Sequence, residues 1–250
     1  AACLALPVVD APCADVDGDG LTDAWEDAAL DRLRPIQRLD EAEPLVSDPG
    51  AVLADVGRVA PSGAFVHVFV MLGYSRDYGS CGLTAHNGDS ERVALELERL
   101  ASDGPGDVRV RQAYTAAHEG TVSDHGRVFA GAERLLLVHD ADPVVGEPRW
   151  VVYPSAAKHG TYATIDICEN ISFLPCIDED CAPDGVPNPA DFDRLPVVVN
   201  AGEEAAPRVT DLAVVGFPGD DAWAAQDFCG GLGGGTCSAP VRDKLLVSPF

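Results

Sequence analysis

After one helical stretch near its start, the chain alternates short apolar runs with turn signals. Trp25, Ala28, Ala29 and Leu33 fall at helical spacing, which predicts a helix over Thr22 to Leu33. Pro35 ends it, because proline cannot continue the hydrogen-bond ladder. From Ala64 onward β-rich runs recur at 64–74, 91–97, 108–115, 127–130, 134–138, 149–153, 162–168, 195–200 and 209–215. Short strands at that spacing predict a mostly β chain, a β-sandwich. The stretch 168–193 is rich in Pro, Asp and Cys and the stretch 216–235 in Gly, so both read as long loops held by disulfides. The organisation expected is an N-terminal calcium-loop and helix module over 1–34, then a β-sandwich domain over 35–250.

A hydrophobic content of 46% is enough for a real core. No run reaches the roughly 18 apolar residues that cross a bilayer, and Phe65 to Leu72 is interrupted by His67. Eight cysteines, without the paired C-x-x-C of zinc ribbons, predict an oxidised, secreted or cell-surface chain with at least three disulfides. Cys176 with Cys181 and Cys229 with Cys237 are the short-loop pairings expected. The start Ala1-Ala2-Cys3 fits a removed signal peptide. It also fits a lipoprotein cleavage site, in which case Cys3 carries lipid. A net charge of −24 repels nucleic acid and anionic membranes and favours cationic partners, metal ions first.

The segment 15–26 explains part of that acidity. Asp15, Asp17, Asp19, Asp23 and Glu26 stand at loop positions 1, 3, 5, 9 and 12, the Leu21 carbonyl at position 7 and Gly20 at position 6. Calcium is a hard cation that takes six to eight oxygens, and this spacing wraps it while glycine permits the sharp turn. Pro12 and Cys13 stand where an entering helix would be, so the segment resembles the calcium loops of dockerins rather than a complete EF-hand. Its expected role is to staple the N-terminus.

A second constellation follows. Val93, Leu95 and Leu97 alternate with polar residues, so 91–97 is a strand, and Asp89 and Glu91 precede Val93 on the same face. Two carboxylates side by side repel unless a cation or proton sits between them. The Asn87-Gly88 turn brings His86 toward the same place. His118 and His159 lie in later loops, whereas His67, His125 and His139 read as structural. Asp178-Glu179-Asp180 with Asp184 forms a further acidic loop of irregular spacing.

His86, Asp89 and Glu91 resemble the G-H-R-H-D-W-E motif of the necrosis- and ethylene-inducing peptide-like proteins, and Asp77 after the aromatic strand resembles that family's upstream aspartate. The segments 33–43, 113–120 and 151–162 also resemble the related vacuolar sorting protein 62-like family, with Ser90 in place of a tryptophan. The resemblance implies a β-sandwich and a divalent metal held by Asp77, His86, Asp89 and Glu91. Carboxylates with an imidazole and no thiolate suit calcium, magnesium or manganese. The toxins of that family recognise sphingolipid head groups in this cleft, which implies a glycan or polar lipid head group as ligand. The alternatives are a metal-dependent ester or phosphodiester hydrolase with His118 or His159 as general base, and a calcium-stabilised extracellular structural protein. There is no G-x-S-x-G, which argues against a serine nucleophile.

Overall fold

The computed structural model describes residues 13–40, 42–48, 53–79, 85–99, 108–121, 124–137, 150–171, 178–181, 199–200 and 241–250. Helix α1 (Asp23–Leu33) starts at Thr22, whose hydroxyl accepts from the Trp25 N–H at 3.2 Å. Asp23 and Glu26 in its first turn complement the positive end of the helix dipole. Its last bond runs from the Arg34 N–H to the Leu30 carbonyl, after which Pro35 turns the chain away.

The chain is mostly β, with two sheets among the described residues. In the smaller, β1 (Ile36–Gln37) runs parallel to β7 (Val151–Pro154), which pairs antiparallel with β8 (Thr161–Tyr162). The larger has the order β6-β5-β4-β3-β2-β9, formed by β2 (Leu53–Ser62), β3 (Phe65–Asp77), β4 (His86–Arg99), β5 (Val108–Thr115), β6 (Arg127–Ala130) and β9 (Val199–Asn200). All its pairings are antiparallel except β2 with β9. Two short helices complete the described chain, α2 (Ile165–Glu169) and α3 (Val241–Leu246).

Alternation splits the large sheet into two buried faces. Val66, Val68, Val70, Leu72 and Tyr74 of β3 and Val93, Leu95 and Leu97 of β4 share one apolar cluster with Leu21, Trp25, Ala29 and Leu30, and with Val152 of the small sheet. Phe69, Met71 and Ala94 point the other way, into a cluster with Tyr114 and Leu245 of α3. Both faces of β3 are therefore covered, and this is why it reads as a nearly unbroken apolar run. A polar chain ties the sheets together at their edge. Gln37 of β1 donates from Nε2 to Asp55 Oδ1 of β2 at 3.0 Å and accepts from the Tyr74 hydroxyl of β3 at 2.9 Å. Burial pushes the Asp55 carboxyl up to about 6, against the opposing pull of Arg34 and Gln37.

Several local expectations need correction. The expected strand 134–138 is, over its described residues, not a strand: Glu133–Leu137 is a 3-10 helix, which follows Gly131 at φ 57° and is held by Arg134 Nη1 donating to the Gly131 carbonyl. The expected strand 162–168 stops at Tyr162, because the Thr164 hydroxyl accepts from the Ile167 N–H and starts α2. Cys181 is bonded to Cys168, with Cα atoms 6.2 Å apart, and not to Cys176. Cys13 is also disulfide-bonded, and no described cysteine is free. The expected pair Cys229–Cys237 and the strand 209–215 lie outside the described residues. Strand β2 escapes the pattern reading, since its composition includes Gly57 and Pro61; the hairpin through Gly63, at φ 60°, pairs Ser62 with Phe65.

Two outcomes follow. Trp25 is fully buried among residues of α1 and both sheets, so Trp25→Ala should cost about 3–5 kcal/mol and lower the single urea transition of the whole chain. An unchanged transition for the sheet signal would show that 1–34 folds apart. Asp55 retains a proton in the folded chain between its ordinary 3.8 and about 6, where the unfolded chain has lost it. Its contribution to stability therefore falls as pH rises through that window. The stability of Asp55→Asn minus that of the wild type should rise between those pH values and level off above them. A flat difference across a urea-denaturation series would refute the buried-carboxyl account.

Candidate functional site

In the N-terminal loop Asp15, Asp17 and Asp19 each bring a carboxylate oxygen within 4.8 Å of the others, a group that could hold a metal ion. Backbone N–H groups aim the carboxylates: Asp15 Oδ1 accepts from Gly18 at 2.8 Å and Asp19 at 3.1 Å, and Asp19 Oδ1 accepts from Leu21 at 2.9 Å. Gly20 sits at φ 94°, a conformation that glycine adopts without strain. Asp23 Oδ1 accepts from the Val16 N–H at 3.0 Å, and Glu26 is fully buried at the foot of the loop. Burial raises the carboxyls of Asp17 and Asp19, and their mutual repulsion and that of Asp15 add to it. Asp19 Oδ2 is buried without a hydrogen-bond partner. An all-oxygen donor set with one such atom fits a hard cation.

The second cluster lies on the core face of β4. The register places Asp89 opposite Tyr74 and Glu91 opposite Leu72, so both carboxylates enter the apolar layer. Two loops meet them there. After β5, His118 donates its backbone N–H to Glu91 Oε1 at 2.8 Å, and its Nε2 lies 2.9 Å from Glu179 Oε1. After β7, His159 lies flat against the Tyr74 ring, with centroids 3.9 Å apart. Its Nδ1 is 3.0 Å from Asp89 Oδ2 and its Nε2 3.5 Å from Glu43 Oε1. Lys158 Nζ adds a second cation at 2.9 Å from Glu179 Oε1.

His118, Ala157 and His159 have φ of 57°, 66° and 60°. Left-handed backbone at three non-glycine residues of one cluster stores strain, which is characteristic of functional sites. The loop is held by its own bonds, His159 N–H to the Ser155 carbonyl at 3.0 Å and Ala157 N–H to Glu43 Oε2 at 2.8 Å. A methyl group at Gly160 would stand 3.0 Å from His118 Nε2 and 3.1 Å from the Tyr162 hydroxyl, so glycine lets this loop approach. The Cys168–Cys181 bond holds segment 178–181 against α2 and so delivers Glu179 to His118.

Charge is balanced inside the cluster. Burial would lower both imidazoles, but Glu179 hydrogen-bonded to His118, with Glu91 and Asp89 behind it, holds His118 up at about 9. Asp89 and Glu43 hold His159 up at about 10. Burial opposes ionisation of Glu179, yet His118 and Lys158 pull it down to about 2. Glu91 goes the other way: burial, reinforced by Asp89, lifts it to about 7 despite Lys244 and His118. The surrounding carboxylates thus favour the protonated form of both imidazoles. Glu91 Oε2 and the Tyr162 hydroxyl are buried with no hydrogen-bond partner.

The sequence-named residues fall into two groups. Asp89 and Glu91 meet His118 and His159 in the buried cluster. Asp77 pairs with His86 at the far ends of β3 and β4, an odd number of positions from Tyr74 and Asp89, and Asp77 Oδ1 accepts from the Gly79 N–H. For a second metal, Glu91 Oε2 is a buried oxygen suited to a hard cation, while Asp89 is engaged with His159 and the Ser90 N–H. Glu43, Tyr74, Lys158, Tyr162 and Glu179 were not read from sequence. Glu179 had a signal as part of the acidic loop 178–180, and Glu43, Lys158 and Tyr162 lie in the segments 33–43 and 151–162 that carry the family resemblance.

No family model matches the chain, and no curated protein matches it. At low identity it is similar in structure to necrosis- and ethylene-inducing peptide-like proteins. A non-toxic HaNLP3 protein is 9% identical over 74% of this chain and 80% of that chain, with a TM-score of 0.40. Necrosis and Ethylene inducing Protein 2 from the causal agent of cocoa's Witches Broom disease is 12% identical over 84% of each chain, with a TM-score of 0.36. NLPPya in complex with glucosamine is 15% identical over 66% of this chain and 86% of that chain, with a TM-score of 0.30.

Proposed function

We propose that the chain is a secreted binding protein whose cluster around Asp89, Glu91, His118 and His159 recognises the hydroxyls of a glycan or a polar lipid head group. The observation that carries this reading is a buried, charge-balanced set of donors and acceptors mounted on strained loops, with Glu91 Oε2 and the Tyr162 hydroxyl left without protein partners. A ligand hydroxyl donates to the first and accepts from the second. The carboxylates around His118 and His159 favour the protonated rings, which suits hydrogen-bond donation to a ligand better than the general-base role of a hydrolase.

Cations complete the reading. Calcium in the loop of Asp15, Asp17, Asp19, the Leu21 carbonyl, Asp23 and Glu26 staples the N-terminus onto the core through Leu21 and Trp25. A calcium, magnesium or manganese ion near Glu91 and Asp89 would supply positive charge to orient ligand oxygens, whereas the expected ligands Asp77 and His86 pair three positions away along the two strands. The disulfide Cys168–Cys181 accords with secretion, and among the described residues no helix is long and apolar enough to cross a membrane.

The two acidic sites should separate on mutation. Asp19→Ala should lower the calcium-dependent rise in melting temperature while leaving retention on a glycan and glycolipid array nearly unchanged. Glu91→Gln keeps the side-chain volume but removes the charge, and Asp89→Ala removes the partner of His159. Both should abolish retention at temperatures where circular dichroism reports a folded chain. Full retention by folded Glu91→Gln and Asp89→Ala would make the cluster structural and end this reading.

A further inference from the structure

The opposite face of the large sheet carries a feature the buried cluster does not use. Pairing of β4 with β5 slips between Leu97↔Val110 and Glu96↔Gln112, which leaves Arg111 as the extra residue of a β-bulge. A bulge turns two consecutive side chains toward one side of a sheet. Val110 packs against the core and Ala113 within it, so the slip allows Arg109, Arg111 and Gln112 to share the outer face. Arg109 and Arg111 are 54% and 51% exposed, and Glu98 Oε2 holds them together at 2.8 and 3.7 Å. Arg134 reaches the same place from the 3-10 helix Glu133–Leu137, anchored on the Gly131 carbonyl.

Together these residues line a concavity of about 290 Å³. In a chain of 41 acidic and 17 basic residues, a lining of three arginines and one acid reverses the general balance, and it stays cationic with Glu98 paired to Arg109 and Arg111 beside it. That one acid, Glu96, is already engaged by Gln112 Nε2 at 3.0 Å and by His67 at 3.3 Å. Guanidinium groups present paired N–H donors whose spacing matches the two oxygens of a carboxylate or sulfate. The concavity has room for a group the size of one sugar ring.

We propose that this concavity binds the anionic group of an acidic saccharide, a sulfate ester or a uronic carboxylate, held by Arg109, Arg111 and Arg134. Glu96 lies five residues along β4 from Glu91 and on the other face, so the site is separate from the buried cluster. The arginines also offset locally the repulsion that so acidic a protein exerts on an anion.

Calorimetric titration of the full chain at low salt with a heparin hexasaccharide, an oligogalacturonate of equal length and a neutral dextran oligomer tests this. At least one anionic oligomer should bind, the dextran should not, and affinity should fall as salt rises. The stronger anionic ligand distinguishes sulfate from carboxylate. The double variant Arg111→Gln/Arg134→Gln should bind about tenfold more weakly with an unchanged melting temperature. Absence of binding by both anionic oligomers, equal binding of dextran, or undiminished binding by the folded double variant would overturn the proposal.

Discussion

Strand β4 carries Asp89 and Glu91 into a face that is otherwise apolar, and much of the surrounding structure serves to make that burial tolerable. An isolated buried carboxylate costs several kcal/mol, so such groups persist only with compensating charge and hydrogen bonds. His159, with Glu43 at its other ring nitrogen, closes on Asp89 from one side, and His118 closes on Glu91 from the other. From behind, Lys244 Nζ of α3 bonds the Ser90 carbonyl and hydroxyl between them. Helices, loops and the C-terminal segment thus converge on three consecutive residues of one strand.

The requirement extends outward. His159 reaches Asp89 with left-handed backbone at Ala157 and at His159 itself, and the loop is held by Glu43 and by the bond from Tyr78 N–H to the Ala157 carbonyl. Glu179 can balance His118 because the Cys168–Cys181 bond keeps segment 178–181 beside α2. The disulfide therefore bears on the site as well as on stability, and the small sheet presents the loop between β7 and β8 to the large one.

The two acidic features illustrate different ways of handling repulsion. In the loop at 15–19 the carboxylates come from neighbouring residues and are aimed by their own backbone N–H groups, so a cation can complete a local cage. On β4 the carboxylates are answered by cations from elsewhere in the chain. The first arrangement is a property of a short segment, and the second is a property of the fold.

That difference sets what could be read from the residues in order. The helix at 22–33, strands β5 and β6 and the aspartate loop are local: helical spacing, alternation and the spacing of acids each appear within a dozen residues. The same alternation put Asp89 and Glu91 on one face. Segments whose state depends on a cap or an adjacent turn were misread, as at 134–138 and 162–168. The pairing of Cys181 with Cys168, the stacking of His159 on Tyr74 and the arrival of Glu43 and Glu179 were decided by tertiary structure alone. These contacts join residues from 13 to more than 100 positions apart, and the energies that select them come from burial, which no local spacing encodes.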